Sequence, residues 1–258
     1  MASKVLVTGG TGLLGRRLPN NSGLDFFKIG SSINLLENSG VEKVLSLANV
    51  YGCDAVLHMA WTSNSKSNYE VSPENILWAE KSIELAKKCV ERGIFFAGLG
   101  TGLENDYANT TPYVLSKRQV RAELLSELSL GLAGWLRPYY IFDIEESRPR
   151  LLKFVLDNSQ DNTFVVNNGN SLHDYISSFD VSSGILEAVK INLSGTVDIG
   201  SGKLISNRFF LQLICKELGI PVPKILSNSM GAGIIANISA ISGTGWRPTQ
   251  TEQFLKSE

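Results

Sequence analysis

A short apolar run, Lys4 to Thr8, leads directly into the turn Thr8-Gly9-Gly10-Thr11-Gly12-Leu13-Leu14-Gly15. A strand running straight into glycines spaced three apart leaves a chain few folds to choose from. In that spacing Gly9 makes the tight turn, Gly12 lets backbone approach a pyrophosphate, and Gly15 lets the next helix press close. The phosphates of a dinucleotide would sit at the start of the helix near Leu13, where free amides favour an anion. A turn that merely needs small residues has the same spacing. The position between strand and helix is what points to a dinucleotide-binding fold.

The chain has 258 residues, enough for one large α/β domain with a smaller lobe. Lys plus Arg number 24 and Asp plus Glu 25, so the net charge of −1 leaves no electrostatic footprint for nucleic acid or an anionic membrane. A small-molecule ligand is the expected partner. Cys53, Cys89 and Cys215 are odd in number and far apart, which fits core thiols in a reducing cytosol. With no leader-like or membrane-length apolar run, a soluble cytoplasmic protein is expected.

Pro19 and the residues after it cut the first helix short, and a second strand is read at Phe26 to Gly30. Where that strand ends, a carboxylate would accept from adenosine ribose hydroxyls. Here the sequence is Lys28-Ile29-Gly30-Ser31-Ser32. Nothing acidic repels a 2′-phosphate, and Ser31, Ser32, Arg16 and Arg17 are candidates to bind one, which favours NADP over NAD. The two arginines also fit a solvated helix face. A helix is read at Val41 to Val50 and a buried strand at Ala55 to Ala60, with His58 as a core residue. Ala60, Trp61 and Thr62 leave the carboxyl end of that strand, where open α/β sheets bind ligands. Ser72 and Pro73 start a helix that Gly93 ends, and Ile94 to Leu99 is the next strand.

Thr111 can cap a helix with Pro112 at its first position, and helical spacing then puts Tyr113 and Lys117 on one face. An ammonium near a phenol lowers its pKa, so the tyrosine could exchange a proton with a hydroxyl or carbonyl. The spacing alone also fits two solvated side chains. The order of glycine turn, alternating strands and helices, and Gly100-Thr101-Gly102 ahead of this helix favours the catalytic reading.

Together these residues resemble the extended short-chain dehydrogenase/reductase family of nucleotide-sugar epimerases, dehydratases and ketoreductases. Thr8 to Gly15 resembles its TGxxGxxG turn, Asp54 to Ala60 its DxVxHxA strand, and Tyr113 to Lys117 its YxxxK. Leu136-Arg137-Pro138, Ile199-Gly200-Ser201-Gly202 and Gly245-Trp246-Arg247-Pro248 resemble later family motifs. The resemblance implies a Rossmann-like doubly wound parallel sheet over about residues 1–147 and a smaller, mainly substrate-binding α/β lobe over about 148–258. It implies NAD or NADP bound by Gly9, Thr11, Gly12, Leu13, Leu14, Gly15, Arg16, Ser31, Ser32, Ala60, Tyr113 and Lys117. Tyr113 becomes the general acid/base, Lys117 its tuner and ribose ligand, and Thr101 a donor to the reacting oxygen. Trp61, Thr62, His173 and Arg208 are the substrate candidates, and no metal ligand is assigned. A homodimer is implied through the helices Ser72 to Arg92 and Tyr113 to Leu128.

Some features depart from the pattern. Only eleven residues separate Thr101 from Tyr113, Asp143 stands where glycine is common, and His173 replaces an arginine that often holds a nucleotide diphosphate. The substrate expected is a nucleotide sugar. Two other readings stay open: a reductase of a smaller carbonyl compound, and a dinucleotide-sensing regulator without turnover. Helices are read near Arg150 to Asn158, Val181 to Ile191 and Asn207 to Leu218, strands near Phe164 to Val166 and Thr196 to Ile199, and the segment 221–245 is not placed.

Overall fold

The computed structural model describes residues 1–19, 22–62, 68–145, 150–159, 164–227 and 233–256. The chain opens with β1 (Lys4–Thr8), α1 (Leu13–Arg17), β2 (Asp25–Ile29), α2 (Gly40–Tyr51), β3 (Ala55–His58), α3 (Glu74–Glu91) and β4 (Phe95–Leu99). It continues through α4 (Pro112–Glu123), α5 (Leu125–Ser129), β5 (Ala133–Pro138), β6 (Tyr140–Phe142) and α6 (Leu151–Asp157). Then come β7 (Val165–Val166), β8 (Leu172–His173), β9 (Tyr175–Ser177), α7 (Ser178–Lys190), β10 (Gly195–Ile199), β11 (Ile205–Ser206), α8 (Asn207–Leu218), β12 (Lys224–Ile225), α9 (Ser239–Ser242) and α10 (Thr249–Leu255).

Six strands form one parallel sheet in the order β10-β5-β4-β3-β1-β2. Its strands are apolar on both faces because helices cover both. Side chains alternate along a strand, so Val5 and Val7 meet α7 residues such as Val181 and Ile185. Leu6, between them, turns to Val44, Leu45 and Leu85 of α2 and α3 on the other face. This is the doubly wound Rossmann-like sheet expected from the sequence. From β1 the chain runs outward to β2 and then returns to the other side as β3, making a switch point between β1 and β3. A crevice opens there at the carboxyl ends of the strands.

A smaller core of Leu152, Val155, Val166, Tyr175, Phe210, Leu211 and Ile214 holds the second lobe. Residues 178–199 return to the large sheet as α7 and β10, so the chain crosses the division expected near residue 147 more than once. In the unplaced stretch, β12 pairs with β7 and α9 precedes Trp246. Two local readings are corrected. The expected helix Tyr113 to Leu128 is two helices interrupted at buried Leu124. Thr111 stands at the N-terminus of α4 without capping it, because its hydroxyl donates to Asn109 Oδ1 at 2.9 Å. All three cysteines are free and buried, and no described helix is long and apolar enough to cross a membrane.

Candidate active site

The turn after β1 has the geometry its glycines demand. Gly9 has φ +71°, and a Cβ there would sit 2.7 Å from the Ala60 amide nitrogen. At Gly15 a Cβ would lie 2.5 Å from Gly10 O, so α1 packs onto the turn itself. Gly12 faces open space apart from Gly9 O, which leaves its backbone bare to a cleft of about 850 Å³. Gly9, Thr11, Gly12, Leu13, Leu14, Gly15, Arg16, Ser31, Ala60, Trp61, Thr62, Thr101, Tyr113 and Lys117 all line that cleft.

The two strand ends that frame it are tied through Thr8. Its Oγ1 contacts His58 Nδ1 at 2.7 Å and accepts from the Ala60 amide at 3.3 Å. Ser82 Oγ donates to Trp78 O and lies 2.9 Å from His58 Nε2. The chain of donors assigns the proton to Nε2, since the serine already gives its own away. Burial pushes the His58 pKa down to about 3, and the nearby Lys117 charge adds to that. His58 is therefore a neutral core residue.

A folded-state pKa of about 3 has a stability consequence. The unfolded chain takes up a proton near pH 6.5 while the folded chain does not, so the stabilisation is complete above 6.5 and is lost as pH falls toward 3. Between pH 7 and 5 His58 alone accounts for about 2 kcal/mol. Urea unfolding at the two pH values should show a smaller difference in a His58→Gln variant than in the wild type.

Thr101 leaves β4 at a short 3₁₀ turn, Gly102–Asn105, where its side chain accepts from the Leu103 amide at 3.3 Å. The hydroxyl keeps its own proton to give. Its backbone amide donates to Glu104 Oε1, and the buried Glu104 carboxylate also receives Trp135 Nε1 and Arg121 Nε. That knot fixes the strand end. From α4, Tyr113 enters the cleft with its ring edge-on to Tyr69, 5.2 Å between centroids. Lys117, one turn on, is buried. Its Nζ donates to Leu99 O at 2.6 Å and stands 3.5 Å from the Trp61 ring centroid. Burial pushes the Lys117 pKa down to about 7 against the opposing pull of Glu104. The fixed ammonium read from the spacing is thus a group that titrates near neutrality.

A second cavity of about 400 Å³ adjoins the first. Tyr69, Thr101, Tyr113, Tyr139, Ile141 and Arg150 line both. His173 lines the second, its ring 4.0 Å from Tyr140 and its pKa pushed down to about 4 by burial. It is neutral at physiological pH.

Three candidates are not brought to the cleft. Arg17 forms a two-pronged pair with Asp143 at 3.0 and 3.1 Å, a further pair with Glu145, and a stack on Phe179 at 4.3 Å. It ties α1 to the end of β6 and is committed away from any 2′-phosphate. Ser32 is exposed and does not line the cleft. Arg208 donates to Ile225 O and Ser227 Oγ, each at 2.9 Å, and lines neither cavity. It holds β12 rather than an anion.

Sequence reasoning missed Arg150, which is the only formal cation among the described residues lining the second cavity. Nothing in its sequence neighbourhood marks it. Tyr139, also missed, donates to Asp198 Oδ2 at 3.0 Å and packs over Gly102. Asn167 and Asn168 line the second cavity too, and Asn168 has φ +61°. The run Asn167-Asn168-Gly169-Asn170 is a readable turn signal for them.

No family model and no curated protein matches the sequence, but solved structures match the fold. UDP-glucose 4-epimerase of Thermus thermophilus, in complex with NAD, superposes with a TM-score of 0.72 at 18% identity, over 99% of this chain and 100% of that one. dTDP-4-dehydrorhamnose reductase of Bacillus anthracis, in complex with NADP, gives 0.79 at 15% identity, over 99% and 97%. The fold is the doubly wound parallel-sheet fold that these epimerase and reductase structures share. ADP-L-glycero-D-manno-heptose-6-epimerase of Helicobacter pylori shares it, with a TM-score of 0.75 at 16% identity over 95% of this chain and 91% of that chain. At 15–18% identity these likenesses are likenesses of fold.

Proposed function

We propose that the protein is an NAD(P)-dependent nucleotide-sugar epimerase or 4-ketoreductase of the extended short-chain dehydrogenase/reductase family. The observation that carries this reading is the wall shared by the two cavities. Thr101 and Tyr113 face both the cleft of the glycine turn and the cavity of the second lobe. A hydride donor in one and its acceptor in the other would meet there. The residues present fit a dinucleotide: the bare Gly12 backbone, the absence of any Cβ at Gly9, and a cleft running from Leu13 past Ala60 to Lys117. When bound, the nicotinamide ring supplies the hydride or takes it up.

In this scheme Tyr113 gives a proton to the oxygen of the reacting carbon, or removes it in reverse. Thr101 donates a hydrogen bond to that oxygen. Lys117 supports the tyrosine and holds the nicotinamide ribose. Arg150 takes the role of anion contact for a nucleotide diphosphate, beside the Asn167 and Asn168 amides and the uncharged His173. Arg16 and Ser31 remain to bind a 2′-phosphate, with no carboxylate from Phe26 to Ser32 to oppose it, so NADP(H) is preferred. The same reading makes the protein a cytosolic homodimer. Its contact would run through α3 and α4, which expose Ile76, Leu77 and Leu115.

A thermal-shift matrix tests cofactor and substrate together. NADP(H) should stabilise more than NAD(H), and at least one of UDP, GDP, CDP or dTDP should add to it. A ligand at a hundred times its dissociation constant contributes about 2.7 kcal/mol. Stronger stabilisation by NAD(H) would reverse the cofactor assignment. No response to any nucleotide, with dinucleotide present, would favour a smaller carbonyl substrate.

A further inference from the structure

We propose that Trp61 is a positioning residue for Lys117: its indole face is the counter-surface that keeps the buried ammonium charged and turned toward the cleft. The inference rests on the role given to Lys117 above and adds a partner to it. The lysine is 4% exposed and has no ion pair among the described residues. The acidic group that pulls on its charge, Glu104, is already bound by Arg121 at 3.0 Å. One ammonium proton goes to Leu99 O. What remains for the charge is the face of a ring, and the Trp61 centroid is 3.5 Å away, well inside the range of a cation–π contact. The Tyr113 and Trp135 rings, at 5.8 and 5.7 Å, stand at the edge of that range.

The indole is held in place by contacts that serve no other visible end. Its Nε1 donates to Asn75 Oδ1 at 2.7 Å. Asn75 is fully buried, and its Nδ2 donates to Tyr69 O and Ser72 O at 2.7 and 2.9 Å, which sets the amide's orientation. Trp78 stacks beside the indole at 5.9 Å, and Tyr113 meets its edge at 6.2 Å. Rotation of Trp61 would break the Asn75 bond and leave a buried acceptor unmet. The ring therefore presents one face to Lys117.

The ionisable groups around the ammonium are His58 on β3, Glu104 after β4 and Tyr113 on its own helix, with Tyr69 ahead of α3 and Tyr139 after β5 lining the same cleft. His58 is neutral at physiological pH, and Arg121 offsets Glu104. Neither replaces the ring. Because a cation–π contact favours the charged form, its removal lowers the lysine's ionisation midpoint, and the loss of charge then begins at lower pH.

The test reads Lys117 directly, without turnover. Protein carrying ¹³C at the lysine ε position is titrated by NMR with no dinucleotide added, the Lys117 signal being assigned by its loss in Lys117→Arg. In Trp61→Leu the midpoint should fall by about one pH unit, tenfold in the ionisation constant. Trp61→Phe, which keeps a ring with a weaker face, should lie between that variant and the wild type. If Trp61→Leu does not fold, a smaller downward shift in Trp61→Phe supports the proposal in its place. An unchanged or raised midpoint in the folded variants overturns the proposal. If the midpoint moves but no carbonyl or sugar nucleotide is ever turned over, the enzyme reading fails and the positioning of Lys117 stands.

Discussion

Tyr113→Phe should abolish turnover while leaving dinucleotide affinity nearly unchanged. The substitution removes one phenolic oxygen, and with it the proton donor to the developing alkoxide. General acid/base catalysis of this kind is worth about 10² to 10⁴ in rate. The ring stays, so its edge contacts with Tyr69 and Trp61 survive. Lys117→Ala should weaken both rate and cofactor binding, because that side chain serves the tyrosine and the ribose together. Thr101→Ala should fall between the two, losing an oriented hydrogen bond without losing the proton source. The wild-type rate should also decline above about pH 7, since a Lys117 pKa near that value leaves the ammonium charged below it and neutral above it. Steady-state rates across pH, with dinucleotide titrations on each variant, read all of these. A dinucleotide sensor predicts something different: no wild-type turnover, and only a small stability change in Tyr113→Phe.

The largest stability effect is expected at Asp174. This fully buried carboxylate accepts from the Ser201 amide and hydroxyl at 2.6 Å each, and from the Gly202 and Ala236 amides at 3.0 Å each. It joins the β8–β9 corner to the loop after β10 and to the segment leading into α9. Asp174→Ala leaves three backbone amides without their acceptor. At about 1–3 kcal/mol for each buried donor left unmet, the loss is on the order of 3–5 kcal/mol after partial relaxation, a large share of the roughly 5–15 kcal/mol that holds a domain of ordinary stability. The midpoint of urea unfolding should fall sharply with little change in slope. Asp174→Asn should cost less, because one amide oxygen still accepts. A midpoint close to wild type in Asp174→Ala would show that the knot is not what secures the second lobe.

What the sequence made readable was local. The glycine turn, the apolar strands β1 and β3 to β5, and the pair Tyr113 and Lys117 are patterns within a few residues of each other, and each is set by backbone geometry or helical spacing. The doubly wound sheet followed from their order. The misplaced residues are those whose partners lie far along the chain. Arg17 meets Asp143 across 126 positions, and Arg208 serves β12. A long cationic side chain carries no mark of the carboxylate or carbonyl it will reach. Arg150 was missed for the converse reason, since folding alone brings it to the wall between the cavities. Nothing in the sequence around Asp174 marks it as an acceptor; that role is visible only where the amides of Ser201, Gly202 and Ala236 converge on it. Lys117 and Tyr113 both line the cleft from α4, but the burial of Lys117 under Trp61, and with it the near-neutral ionisation, belongs to packing that spacing does not encode.

Transfer of label from the dinucleotide to the sugar is the most direct measurement. Purified protein is incubated with NADPH or NADH deuterated at either face of nicotinamide C4, together with nucleotide 4-keto sugars, and the products are resolved by mass spectrometry. A hydride-transferring nucleotide-sugar enzyme places one deuterium on the sugar for each dinucleotide oxidised, from one face only, and the transfer disappears in Tyr113→Phe. If the dinucleotide binds and yet no label reaches any sugar, the protein is not such an enzyme.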